Sequence, residues 1–133
     1  MSENLDLVRS IVAAHERGDY NSADWADPDI EYGIVGGLMS GSWKGQAAMA
    51  GAARELFATY TAHRTVAEEF LQLDSERVLV LAHIVGSGKT SGLELPEGQT
   101  KIAALYQVRD GKVITHVVYV NRASALADLG LEE

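Results

Sequence analysis

The chain has no cysteine. Disulfides, thiolate nucleophiles and cysteine-ligated zinc are excluded together, and the lack fits a reducing compartment. Basic residues are few, with 11 Lys and Arg against 19 Asp and Glu, for a formal net charge of −8. They stand singly, without a cluster and without interleaved aromatics. Affinity for nucleic acid rests on neutralising phosphates, so this chain repels it. An anionic membrane surface is disfavoured for the same reason. No apolar run approaches the ~20 residues of a membrane span. The opening MSENLDLVRS lacks the basic-then-apolar layout of a signal peptide. The four histidines show no HxxxH or HxH spacing, which argues against a metal site. These absences lead us to expect a cytoplasmic protein with no nucleic-acid or membrane partner, no metal and no cofactor.

What is present suits one globular domain. The chain has 133 residues, 47% hydrophobic and 23% charged. That length buries enough surface to need no covalent staple. Leu5, Leu7, Val8, Ile11, Val12 and Ala14 recur at helical spacing and predict a helix over 3–17, ended by Gly18. Ser2 or Asn4 is placed to cap it, with acidic Glu3 and Asp6 in its first turn. Asp19 then caps an expected short second helix carrying Ala23, Trp25 and Ala26, closed by Pro28. Residues 29–35 read as a first strand. Gly36, Gly37, Gly41 and Gly45 predict a loop containing Trp43. A third helix is expected over 46–60, with Leu56 and Phe57 on its apolar side.

The remainder is strand-like. Residues 64–73 alternate and end at Asp74-Ser75. Residues 77–85 are almost continuously apolar, as a central strand is. SGLELPEG at 91–98 reads as a long hairpin loop. Residues 101–108 and 113–120 flank Asp110-Gly111, the strongest hairpin signal in the chain. A terminal helix over 122–129 ends at Gly130. The stretch Gly86-Ser87-Gly88-Lys89-Thr90 imitates a phosphate loop, but His83 occupies the position of the required first glycine and no helix is predicted after it. Helices segregated from a meander indicate an α+β fold, a cone-shaped curved antiparallel sheet with helices one and three across its hollow face.

Four stretches carry a family resemblance: WADPDIEY from Trp25, GSWKGQAAM from Gly41, GKTSGLELPEG from Gly88, and YQVRDGKVITHVVYVNRASALADLGL from Tyr106. Their order resembles the nuclear-transport-factor-2-like superfamily (a cystatin-like roll), in particular its SnoaL-like and ketosteroid-isomerase-like branch. With helix one they span nearly the whole chain. The resemblance implies a single domain over 1–133 with one small-molecule pocket. Ketosteroid isomerases use a helix-one tyrosine and two strand aspartates, and Ile11, Gly33 and Ala104 stand at the matching places. SnoaL-like cyclases use an aspartate two residues after a histidine; here Val118 follows His116. No Asp-Arg-Asp relay of the epoxide-hydrolase kind is found. The scaffold is present and three known catalytic sets are not, so the chain is read as enzyme or non-enzyme on other grounds.

The strand period of two selects the side chains expected to face the pocket. Taking Val118 as inward places His116 and Val120 with it. Ala104 brings Ile102 and Tyr106, and Gly33 brings Glu31 and Val35. Helix one offers Ile11 and His15. Tyr106, Tyr60, Trp25 and Trp43 suit aromatic walls. The parity of His83 is open, and His63 begins a strand at the surface.

Three functions compete. One is a binding protein for a small hydrophobic molecule. Another is proton transfer on a hydrophobic carbonyl compound, as an isomerase, cyclase or dehydratase, with His116 and Glu31 as acid and base and Tyr106 as oxyanion donor. The third is a non-catalytic homodimer that pairs through the sheet, where 78–85 and 101–108 are expected to expose apolar side chains.

Overall fold

The computed structural model describes residues 3–16, 24–36, 40–57, 60–88 and 101–131. The elements run α1 (Glu3–Glu16), β1 (Ala26–Val35), β2 (Gly41–Lys44), α2 (Gln46–Phe57), β3 (Tyr60–Gln72), β4 (Arg77–Gly88), β5 (Lys101–Arg109), β6 (Lys112–Tyr119) and α3 (Arg122–Asp128). The strands form one curved, unclosed sheet in the order β2-β1-β6-β5-β4-β3. The α+β architecture agrees with the sequence reading. One detail differs: β1 joins β6 in parallel, whereas the other neighbours are antiparallel.

Helices α1 and α2 cover one face, here the inner face. Val8, Ile11 and Val12 of α1 and Met49 and Ala52 of α2 are buried in one cluster with Ile30, Tyr32, Ile34, Val78, Val80, Tyr106 and Val118 of the sheet. The stripe read from the sequence is the one that packs, because helical residues three and four apart share a face. Asn4 does not cap α1. It lies inside the helix, and its side-chain amide donates to the Ser75 carbonyl at 2.8 Å. The alternative cap Ser2, the segment 17–23 and the loop 91–98 lie outside the described residues.

Where a second helix was expected, Trp25 is in a turn and Ala26 already belongs to β1. Tertiary pairing overrides the local helical preference. The Val113 N–H donates to the Trp25 carbonyl at 2.8 Å, and Ala26 pairs with Val113. Pro28 is tolerated because the β1–β6 register shifts between Ala26 and Glu31, where no ladder donor is needed. Trp43 is not in a loop but in the short β2, opposite Tyr32. Tyr60 opens β3 instead of ending a helix.

Asp110 (φ 53°) and Gly111 (φ 77°) make the β5–β6 turn, as this dipeptide does in a primed hairpin. Asn121 caps α3, its side-chain oxygen accepting from Ser124 N–H at 3.2 Å. Past the helix end, Gly130 N–H donates to Ala127 and Leu131 N–H to Leu126, the paired bonds of a helix terminated at glycine. Helix α3 lies on the outer face with Leu79, Ala103, Leu105 and Tyr119. Of the outer-face side chains of β4 and β5, Leu79 and Ala103 are fully buried beneath α3, while Leu81 is half-buried.

Candidate functional site

Strand register builds the site. Trp43 of β2 stands opposite Tyr32 of β1, Tyr32 opposite His116 of β6, His116 opposite Tyr106 of β5, and Tyr106 opposite Val78 of β4. Directly opposed residues project to the same side of a sheet. The result is a row of rings across four adjacent strands on the inner face. The His116 and Tyr106 rings stack with centroids 4.1 Å apart and planes at 16°. Tyr32 lies 5.3 Å from His116 on its other side, tilted by 53°. Trp43 is 6.1 Å from Tyr32. Trp25, from the turn before β1, meets His116 edge-on at 6.4 Å.

His116 is the buried polar side chain among the described residues, at 7% exposure. Its Nδ1 lies 3.2 Å from the Leu105 carbonyl. A carbonyl only accepts, so Nδ1 carries the proton and the lone pair of the neutral ring sits on Nε2. Burial pushes the Tyr32 hydroxyl up to about 12, so it remains a neutral donor at any physiological pH. Two contacts hold α2 over this part of the sheet: Gly45 N–H donates to the Ile30 carbonyl at 2.8 Å, and the Gln46 side chain to the Ala26 carbonyl at 2.9 Å.

The inner-face assignments of Ile11, Ala104, Tyr106, Val118 and Val120 coincide with this cluster, and Trp25 and Trp43 pack against it half-buried. Ile102 is buried with Ala82 in a separate small cluster. The side chains of His15, Tyr60 and His63 lie outside the described residues. Strand β1 corrects the sequence reading by one residue. Ile30, Tyr32 and Ile34 point inward, and Glu31 and Val35 are exposed. A Cβ at Gly33 would meet the Val117 side chain at 3.6 Å, on the outer face. Glu31 is thus not a partner for His116. Tyr32, absent from the sequence-derived set, takes that place. The signal was available: apolar Ile30, Tyr32 and Ile34 alternate with Asp29, Glu31 and Gly33, which alone gives the observed parity.

The outer face carries a second polar group of residues. His83, whose parity was open, is there, with Nδ1 2.7 Å from Glu68 Oε2. The Arg122 guanidinium meets Glu68 Oε1 at 3.1 Å and donates to the Ala82 carbonyl at 2.7 Å. Desolvation alone would raise the Glu68 carboxyl, but the bonds from His83 and Arg122 outweigh it and hold the group below its ordinary value. Beside them runs an open groove of about 560 Å³, lined by Leu71, Leu73, Leu81, Arg122, Leu126 and Leu131. Among the described residues no group of three His, Asp or Glu is placed to hold a metal ion, and no helix is long and apolar enough to cross a membrane.

No protein-family model matches the chain, and no curated protein sequence matches it. Solved structures do resemble it. An NTF2-like protein of unknown function from Burkholderia pseudomallei superposes with a TM-score of 0.77 at 20% identity, over 96% of this chain and 97% of that one. TerC, co-crystallised with polyporic acid, gives 0.74 at 18% identity, over 96% and 98%. A putative SnoaL-like polyketide cyclase from Mesorhizobium loti gives 0.67 at 16% identity, over 86% and 96%. The fold is that of NTF2-like and SnoaL-like proteins, a scaffold associated with small-molecule pockets. At these identities the likeness establishes fold and not reaction.

Proposed function

We propose that the inner face of the sheet binds one small, largely apolar molecule against Tyr32, His116 and Tyr106, with Trp25 and Trp43 at the edges of the site. The observation that carries this reading is His116. A buried imidazole, bracketed by two tyrosine rings within an otherwise apolar cluster, is a costly choice for a face that only has to pack. Binding sites have this composition: aromatic and aliphatic walls with a few placed polar groups. The neighbour crystallised with polyporic acid supports the reading by analogy of fold. Both tryptophans of the chain border the row, so intrinsic fluorescence reports directly on occupancy. The test is native mass spectrometry of gently purified protein, together with fluorescence titration against steroid, polyketide and terpenoid-like compounds. A saturable change in emission that is lost in His116→Ala supports the reading. No saturable change with any class, and no co-purified mass, overturns it.

A second reading follows from the orientation of the imidazole. With Nδ1–H turned to the Leu105 carbonyl, Nε2 is the basic nitrogen, and Tyr32 and Tyr106 supply phenols beside it. That arrangement suits proton transfer on a bound carbonyl compound without Glu31. Turnover that survives unchanged in His116→Ala removes this reading and leaves the first intact.

A further inference from the structure

We propose that the outer-face groove walled by β3, β4 and α3 is a second binding site, for a small amphiphilic cation. An apolar tail lies on the leucines and an ammonium head is held at Glu69. The groove is on the opposite side of the sheet from the site proposed above and does not depend on it.

The groove has a volume of about 560 Å³, inside the range of roughly 300–1,000 Å³ that small-molecule sites occupy. On its walls Leu71, Leu81 and Leu131 pack against the outer-face core yet are only partly buried. Apolar side chains left half in water gain from any apolar surface that covers them. A register irregularity sets the polar edge. The β3–β4 ladder passes from Ala67 opposite Ala82 to Glu69 opposite Leu81, which makes Glu68 the extra residue of a bulge. A bulge re-aims side chains, and here it brings two successive glutamates to one face. Glu68 meets His83 at 2.7 Å and Arg122 at 3.1 Å. Glu69, opposite Leu81, lines the groove.

The head group follows from the polar lining. Among the described residues that line the groove, the polar ones are Glu69, Gln72 and Arg122. The charge of Arg122 is answered within the protein. Its guanidinium meets Glu68 at 3.1 Å and donates to the Ala82 and Ile102 carbonyls at 2.7 Å and 3.4 Å. The Gln72 amide nitrogen donates to the Asp74 carbonyl at 3.3 Å, and its oxygen is an acceptor. A carboxylate only accepts. Glu69 and Gln72 together therefore complement a donor that carries positive charge. The net charge of −8 acts in the same direction and repels an anion.

The test uses probes that share one tail: octylammonium, 1-octanol and octanoate, with ethylammonium as the head without the tail. Each is titrated at low salt into the full chain and into Glu69→Gln, followed by the methyl NMR signals of leucine and valine. Octylammonium is expected to shift Leu71, Leu81 and Leu131 saturably and to bind about two- to fivefold tighter than octanol, the worth of an exposed charge pair. Octanoate is expected to bind weakest, and ethylammonium to leave these methyls unmoved. Glu69→Gln should lose the preference for the cation and bind octanol as before. Octanol or octanoate binding as tightly as octylammonium, or a preference that persists in Glu69→Gln, overturns the ligand class. Shifts confined to the inner-face methyls of Val78 and Val118, or no saturable shift, overturn the site. A dimer in sedimentation whose Leu81 and Leu131 methyls ignore every probe overturns it too, since the groove is then an interface between copies. Should Glu69→Gln not fold, a salt series on wild type decides: the cation's advantage over octanol is expected to vanish as salt rises, and a salt-independent advantage refutes the role of Glu69.

Discussion

The imidazole of His116 lies flat on the ring of Tyr106, 4.1 Å between centroids and 16° between planes, and these two residues face each other across the β5–β6 ladder. The pair ties a polar ring into the sheet interior, where it is held by stacking on one side and by the Leu105 carbonyl through Nδ1.

His116→Ala is expected to destabilise the protein by about 2–4 kcal/mol, because it deletes a buried ring and leaves a void beside Tyr106. His116→Phe keeps the stack and loses the hydrogen bond, for a cost of about 1 kcal/mol. Urea unfolding midpoints compare the two. Equal losses would mean that stacking contributes nothing.

Gly36 has φ +92°, and a Cβ there would come within 2.7 Å of Val120 Cγ2. Its N–H donates to the Ser40 hydroxyl at 2.8 Å, so the backbone is not free to rotate away. Gly36→Ala is expected to cost about 2 kcal/mol. Gly51, inside α2 with nothing within 4 Å of its Cβ position, is the control: Gly51→Ala is expected to stabilise by about 0.5–1 kcal/mol. Thermal unfolding of the two variants should move in opposite directions.

Asp74 organises the β3–β4 turn. Its carboxylate accepts from the backbone N–H of Glu76 at 2.9 Å and of Arg77 at 2.8 Å, and from Arg77 Nε at 2.7 Å. The Glu76 amide bond first, then the Arg77 side chain and amide, lower its pKa from 3.8 to about 2. A depressed folded-state value means stability that is present above the unfolded value and lost as pH falls through the folded one. The loss should fall between roughly pH 4 and pH 2. Asp74→Asn, which keeps an acceptor without a charge, is expected to flatten the stability profile in that window, to be less stable than wild type by a constant amount above pH 5, and to converge with wild type near pH 2. An unaltered acid limb would refute the assignment.

Arg122 fastens the start of α3 to the sheet through the Ala82 carbonyl and Glu68, with only 10% of its side chain exposed. Arg122→Ala removes charge-assisted hydrogen bonds and is expected to cost about 2–3 kcal/mol. Hydrogen exchange should show the loss first at α3, at the Leu129 amide bonded to Ala125. A uniform loss of protection across the sheet instead would mean that α3 is not an independently opening unit.

Much of the fold was legible from short-range signals. The stripe of Val8, Ile11 and Val12, the Asp110-Gly111 turn and the glycine after α3 each act within a few residues, and each appears in the structure where the sequence placed it. The difficulty came at β1. Placing Gly33 inward by resemblance assigned the strand the wrong parity, and in a strand a shift of one residue moves every side chain to the other face. The apolar alternation of Ile30, Tyr32 and Ile34 held the right answer.

By itself the sequence determined that this chain has the strands and helices of an α+β domain, an acidic surface, no cysteine chemistry and a histidine in an apolar strand. Those properties follow from composition and from periodicity along a single element. Only the tertiary structure decided that His116 would stand between Tyr32 and Tyr106. That placement requires β1 to lie in parallel beside β6 and β5 to return antiparallel on its other side. No local propensity encodes the pairing of strands so distant in the chain. Burial of the inner face under α1 and α2 selects it.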